Sequence, residues 1–198
     1  MIKAMDKKSL VELLNKRKKY LDAIEESYSP DDSRETLEEK ALKVHTYRMI
    51  AELFGKADGY CLGVGGGMHI ADFELGHLGA NAIVGGYLPI ATGAVISCWY
   101  QKQNSLVLCL AGDGAYSNGV VLESIKKTGR AVVTSQEVTQ SGYAAEIISQ
   151  IQEEAFDWLD SPILRLSAPN GIPPSAQNLE KLFLPDSEKL VKKIRDNF

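Results

Sequence analysis

The sequence predicts an α/β fold: a layered, parallel-rich sheet with flanking helices, preceded by an amino-terminal helical segment. Three observations carry this. Apolar residues recur at helical spacing through the first 54 positions. The run "SLVLCLA" (105–111) is continuously apolar, as a central parallel strand buried on both faces must be. After Gly119, helical and strand patterns alternate, which is the signature of layered α/β architecture.

The opening is helical. Ser9 and Glu12 have the spacing of a capping box, and Leu10, Leu13, Leu14, Leu21 and Ile24 make one apolar stripe. Ser29-Pro30-Asp31-Asp32 reads as a stop and a new start, with Pro30 in a first helical turn and the acids at its positive end. A second helix is expected from Ser33 to Phe54. Its buried side is Leu37, Ala41, Val44, Ile50, Leu53 and Phe54, and Gly55 ends it. Residues 55–86 are rich in glycine yet carry Met68, Ile70, Phe73, Leu78, Ile83 and Val84, which suggests a structured loop where backbone passes close to something. A plain flexible loop is the alternative. "LPIATGAVISCWYQ" predicts a buried helix with Pro89 in its first turn, and "VVLESIKKTG" a short helix ending at Gly129. "RAVVTSQE" (130–137) and "PILRLSA" predict strands. Residues 143–160 predict a helix with Ile147, Ile148, Ile151, Ala155, Trp158 and Leu159 inward. "DSEKLVKKIRDNF" predicts a terminal helix capped by Asp186 or Ser187.

The 198 residues suit one domain or two small ones and can bury a core. Hydrophobic residues are 44% and charged residues 24%, an ordinary water-soluble balance. A net charge of −4 argues against a nucleic-acid partner, and the basic run Lys16-Arg17-Lys18-Lys19 reads as a solvated helix face. Cys61, Cys98 and Cys109 lack metal-ligand spacing, so reduced thiols and a cytoplasmic location are expected. No apolar stretch reaches the length of a membrane span, and no signal-peptide pattern opens the sequence.

Gly112-Asp113-Gly114 follows the apolar run. In open α/β sheets ligands sit at the carboxyl ends of strands, and the glycines permit a sharp turn and close backbone approach. A helix start near Ser117 to Val120 would offer amides to an anion. A hard carboxylate there suits Mg²⁺ bridging to a diphosphate. By itself the motif is a weak signal, and a tight turn capped by an aspartate is the commoner reading.

Four motifs change the balance: Ala51-Glu52-Leu53-Phe54-Gly55, Gly66-Gly67-Met68-His69, Gly79-Ala80-Asn81-Ala82-Ile83-Val84-Gly85-Gly86 and Gly112-Asp113-Gly114-Ala115. In this order, residues 36–119 resemble the alpha subunit of thiamine diphosphate-dependent 2-oxo acid dehydrogenases, most of all those acting in acetoin breakdown. The resemblance implies an oxidoreductase with thiamine diphosphate and Mg²⁺ as cofactors. It implies that Ala82, Ile83 and Val84 touch the aminopyrimidine through their backbone, that Asp113 is the metal ligand, and that Gly112, Gly114 and Ala115 form the diphosphate turn. His69, the candidate catalytic residue, matches a histidine near the site entrance; a hydrogen bond that stabilises the loop is the other reading. Val64 stands where the family shows lysine, Gly67 where it shows serine, and Ala82 where it shows glycine. The family's Asn-Asn pair, one member of which completes the Mg²⁺ shell, has no counterpart: no asparagine occurs between Gly119 and Pro169. A dinucleotide-binding reading of "GVGGGMHI" fails because no convincing strand precedes it.

The second half is different. Lys126-Lys127-Thr128-Gly129-Arg130, Ser141-Gly142, Ala145-Glu146-Ile147, Gln152 to Asp157 and Asn178-Leu179-Glu180-Lys181 make residues 120–198 resemble the transketolase-like carboxyl-terminal domain of the beta subunit. Gln136 stands where an acid is usual. The expected domains are therefore 1–119, a partial cofactor-binding module, and 120–198, a subunit-packing module. The beta subunit's pyrimidine-binding domain, with its activating glutamate, does not lie between them. The resemblance implies a homo-oligomer, with a complementary dehydrogenase subunit or an acyltransferase core as further partners. Phe156, Trp158 and Phe183 either meet such a partner or face the chain's own core. A non-catalytic assembly protein is the alternative function.

Overall fold

A computed structural model describes residues 5–198. The chain divides into two compact units, one ending at Ile90 and the other spanning Ala91–Phe198.

In the first unit, helices α1 (Lys7–Lys16), α2 (Lys18–Ala23) and α3 (Arg34–Leu53) pack together. The core is Leu10, Leu13, Leu14, Leu21, Leu37, Ala41 and Val44, joined by Leu75. Ile24 packs against it only partly buried. The cap of α1 differs from the expected box. Asp6 is the N-cap, its carboxylate accepting from Ser9 N–H at 2.7 Å. Asp6 lies three residues before Ser9 and matches the cap rule equally well, so spacing alone could not choose between them. Pro30 lies in a turn before the cap rather than in the helix; Ser33 caps α3, accepting from Thr36 N–H. Gly55 turns the chain at φ +66°, as a left-handed stop requires.

The carboxyl end of α3 corrects the sequence reading. Ile50, Leu53 and Phe54 are 49%, 63% and 75% exposed. The buried stripe runs through Leu37, Ala41, Val44, Ala51 and Glu52. It continues at 3.6-residue spacing, and Ile50, Leu53 and Phe54 fall beside it. The core position went to a carboxylate instead of an apolar side chain. Residues 55–86 form an ordered loop with 3-10 turns at Gly67–His69 and Phe73–Leu75 and a bridge pairing Asp72 with His77.

Helix α4 (Tyr87–Tyr100) is apolar all round, yet only Leu88 is buried, which corrects the expectation of a buried helix. The predicted strand at 105–111 is a second correction. The segment pairs with no strand among the described residues, and its Leu106, Leu108 and Leu110 are 44%, 43% and 78% exposed. Between 106 and 111 the backbone receives one hydrogen bond among the described residues, from Tyr116 O–H to Cys109 C=O at 3.2 Å. An apolar run makes a strand only beside a neighbour that completes its ladder.

Beyond α5 (Asp113–Tyr116), helix α6 (Val120–Thr128) ends at Gly129, φ +67°. Strand β1 (Val132–Val138) pairs in parallel with β2 (Leu164–Ala168), in the register Val132 to Leu164 and Thr134 to Leu166. Helix α7 (Tyr143–Ala155) lies between them in sequence and buries Ile147, Ile151 and Ala155 with Ile125 of α6. A 3-10 turn at Phe156–Trp158 ends α7 five residues before the predicted stop. Trp158 and Phe156 are 58% and 60% exposed, so neither belongs to the core. Helix α8 (Gln177–Phe183) precedes α9 (Ser187–Arg195), which Asp186 caps through Lys189 N–H. The fold is thus α/β, with its parallel pairing confined to two strands among the described residues.

Candidate functional site

Two buried carboxylates organise the glycine-rich loop, and neither was singled out from the sequence as a functional residue. Glu52, 1% exposed, accepts four backbone N–H bonds: from Cys61 at 2.7 Å and Gly63 at 3.0 Å on Oε2, and from Gly65 at 2.8 Å and Gly66 at 3.0 Å on Oε1. Four amides within six residues converge on one anion, in a loop where Gly63 and Gly66 adopt φ +78° and +64°. Burial opposes the charge of Glu52, but the four amides outweigh it and hold its pKa below the ordinary value. The motif Ala51 to Gly55 contained this residue. Its signal, an acid on the apolar stripe of α3, was there to be read.

Asp72 is the second. Arg17, the C-cap of α1, donates to both its oxygens at 2.7 Å, and both residues are 5% exposed. Tyr60 O–H donates to Asp72 Oδ2 at 2.5 Å, and His45 of α3 lies 2.5 Å from the Tyr60 hydroxyl. Since the hydroxyl proton goes to Asp72, His45 Nδ1 must carry the other proton. Burial opposes the Asp72 charge, while hydrogen bonds from His45, Arg17 and Tyr60 prevail and place its pKa far below the carboxylate range. Burial, then the bond to Asp72, pushes Tyr60 well up. Arg48 lies over the Tyr60 ring at 3.9 Å, and His77 meets His45 edge to face at 5.4 Å. This network ties α1 and α3 to the loop, so Arg17 is a buried ligand of Asp72 rather than part of a solvated basic face.

The residues chosen from the sequence occupy three turns. His69 closes the 3-10 turn at Gly67–His69 and is exposed; its C=O accepts from Cys61 Sγ at 3.3 Å. Ala82, Ile83 and Val84 lie in an exposed turn, where Asn81 Oδ1 accepts from Ile83 N–H at 2.8 Å. Ala82 is not among the non-glycine residues with positive φ, so its methyl group strains no backbone there. Gly112, Asp113, Gly114 and Ala115 are brought together at the start of α5, with Gly112 as N-cap and Ala115 buried. Asp113 is exposed, and its Oδ1 accepts from its neighbour Gly114 N–H at 2.9 Å. A methyl group at Gly112 or Gly114 would meet open space.

The donor set does not fit a complete Mg²⁺ site. No group of three or more His, Cys, Asp or Glu able to hold a metal occurs among the described residues, and Asp113 is the one carboxylate of its turn. The three cysteines are free, and no described helix is long and apolar enough to cross a membrane.

Comparison with known proteins covers both parts of the chain. A family model described as dehydrogenase E1 component matches residues 30–128, and one described as transketolase, C-terminal domain, matches residues 116–190. The chain is 47% identical over 77 residues to the alpha subunit of acetoin:2,6-dichlorophenolindophenol oxidoreductase of Bacillus subtilis, covering 39% of this chain and 23% of that protein. It is 41% identical over 75 residues to the pyruvate dehydrogenase E1 component subunit beta of Rhizobium meliloti, covering 38% and 16%. With the mitochondrial E1 alpha subunit of Pisum sativum it shares 37% over 78 residues, covering 39% and 20%. These matches span about a quarter or less of the relatives' own length, at most 23% in the three cases. The two family models overlap at residues 116–128, where the two resemblances meet.

Proposed function

We infer the function from one premise: the chain belongs to the dehydrogenase E1 component family, whose model covers residues 30–128. That match, running through Gly112-Asp113-Gly114-Ala115, is the observation that carries the reading. The chain is a portion of a thiamine diphosphate-dependent dehydrogenase that decarboxylates a 2-oxo acid or cleaves acetoin, an alpha-type stretch continuing into a beta-type carboxyl-terminal module. The domains run 1–119 and 120–198. In this reading Asp113 faces Mg²⁺, Gly112, Gly114 and Ala115 face the diphosphate, Ala82 to Val84 face the aminopyrimidine, and His69 stands at the entrance. Its partners are a second copy and a complementary dehydrogenase subunit or acyltransferase core, and its compartment is the cytoplasm.

The carboxylate of Asp113 without further ligands supports weak metal-dependent binding rather than a closed site. Calorimetric titration with thiamine diphosphate, with and without Mg²⁺, tests this. Weak Mg²⁺-dependent binding that falls strongly in Asp113→Asn is expected, because a hard cation prefers the charged oxygen. Equal affinity in both proteins contradicts the assignment. No turnover of pyruvate, branched 2-oxo acids or acetoin is expected from this chain alone. Turnover abolished by Asp113→Ala would show that the remaining groups lie in this chain or its copy. An oligomer that binds no cofactor would favour the non-catalytic assembly protein.

A further inference from the structure

We propose that Glu52 is a positioning residue for His69, acting through the backbone of residues 61–66; the inference rests on the reading that His69 stands at the cofactor site. The carboxylate holds Cys61, Gly63, Gly65 and Gly66 by their amides. Two of these residues hold His69 in turn. His69 N–H donates to Gly66 C=O at 3.4 Å, and Cys61 Sγ donates to His69 C=O at 3.3 Å. Packing reinforces the link: a Cβ at Gly65 would lie 2.7 Å from Cys61 Cβ and 3.2 Å from His69 Cβ. Both ends of the His69 peptide unit are therefore fixed by residues whose own amides end on one buried anion. That anion sits on the last turns of α3, whose core packing does not involve the loop's exposed Leu62, Val64 and Met68.

The arrangement needs a charged carboxylate. Four donors require four acceptor positions, which an ionised carboxylate supplies and a carboxamide does not. In Glu52→Gln the side-chain NH₂ faces amide donors, two bonds are lost, and the loop opens while the helical core persists.

The test is hydrogen exchange and NMR on the full chain. In Glu52→Gln, amides of Cys61, Gly63, Gly65 and Gly66 exchange about ten-fold faster or more, since hydrogen bonds to charged groups are the strong ones. The His69 ring resonances move, and amides of Leu13, Leu14 and Val44 keep their protection. Unchanged exchange in the loop, or an opened loop with an unmoved His69 signal, overturns the proposal. Should the variant unfold, acid titration of the parent protein decides. The four amide shifts and the His69 signal then follow one carboxyl titration lying below the ordinary glutamate value; independent titrations overturn the proposal. Neither readout needs cofactor. Failure of the thiamine diphosphate titration with this coupling intact would overturn the functional reading alone.

Discussion

The loop of residues 55–77 and the segment of residues 103–112 differ in how the chain supports them. The first is polar and glycine-rich, yet Glu52 and Asp72 satisfy its backbone and anchor it to α1 and α3. The second is apolar from Leu106 to Ala111, yet Leu106, Leu108 and Leu110 stand exposed and, among the described residues, no strand pairs with it. Composition alone would reverse these descriptions. Order follows from satisfied partners rather than from apolar content, since backbone groups and buried charges carry large costs when unmatched.

The largest expected effect comes from breaking the anchored region. Arg17→Ala leaves Asp72 a buried charge without its guanidinium and should cost about 3–5 kcal/mol. Lys16→Ala removes an exposed pair with Glu74 at 3.1 Å and should cost under about 1 kcal/mol. Chemical denaturation of both variants checks the contrast, and equal losses would break it. Next is the packing pair. Leu14→Ala, at a fully buried site, should cost about 2–5 kcal/mol. Leu110→Ala, at 78% exposure, should stay within about 0.5 kcal/mol in the monomer. A large loss at Leu110 would mean that the segment is covered, and light scattering at micromolar concentration would then report a mass above one chain. An unchanged monomer mass under dilution and salt would contradict the expected homo-oligomer.

Acid sharpens the comparison further. The folded pKa of His77 is lowered by burial, then by His45, so its contribution to stability is present above about pH 6.5 and is lost as pH falls below it. Asp72 has a depressed folded pKa. Its contribution is present above about pH 3.9, the unfolded value, and is lost as pH falls from there toward the folded one. Denaturation midpoints measured against pH should fall in these two windows. His77→Gln should flatten the upper window and Asp72→Asn the lower.

The sequence made some of this legible and hid the rest for identifiable reasons. The helices of the first unit, the two paired strands and the terminal cap were readable because apolar period and capping residues are local signals. The four motifs identified the family because their order is specific. The interior of the loop was not readable. Arg17 looked like one charge in a basic run, although its partner stands 55 positions later. Glu52 was part of a quoted motif, but its four partners lie 9 to 14 residues away and are backbone amides, which no side-chain pattern reveals. The run at 105–111 misled in the opposite direction: a strand depends on its neighbour, and none is paired with it among the described residues.

Hydrogen exchange across the dilute, monomeric chain tests this contrast most directly. Slow exchange is expected at Leu13, Leu14, Val44 and the loop amides of Gly63, Gly65 and Gly66, and exchange near the unprotected rate from Leu106 to Ala111. Protection of residues 106–111 equal to that of Val44, with the glycine amides exchanging freely, would contradict it.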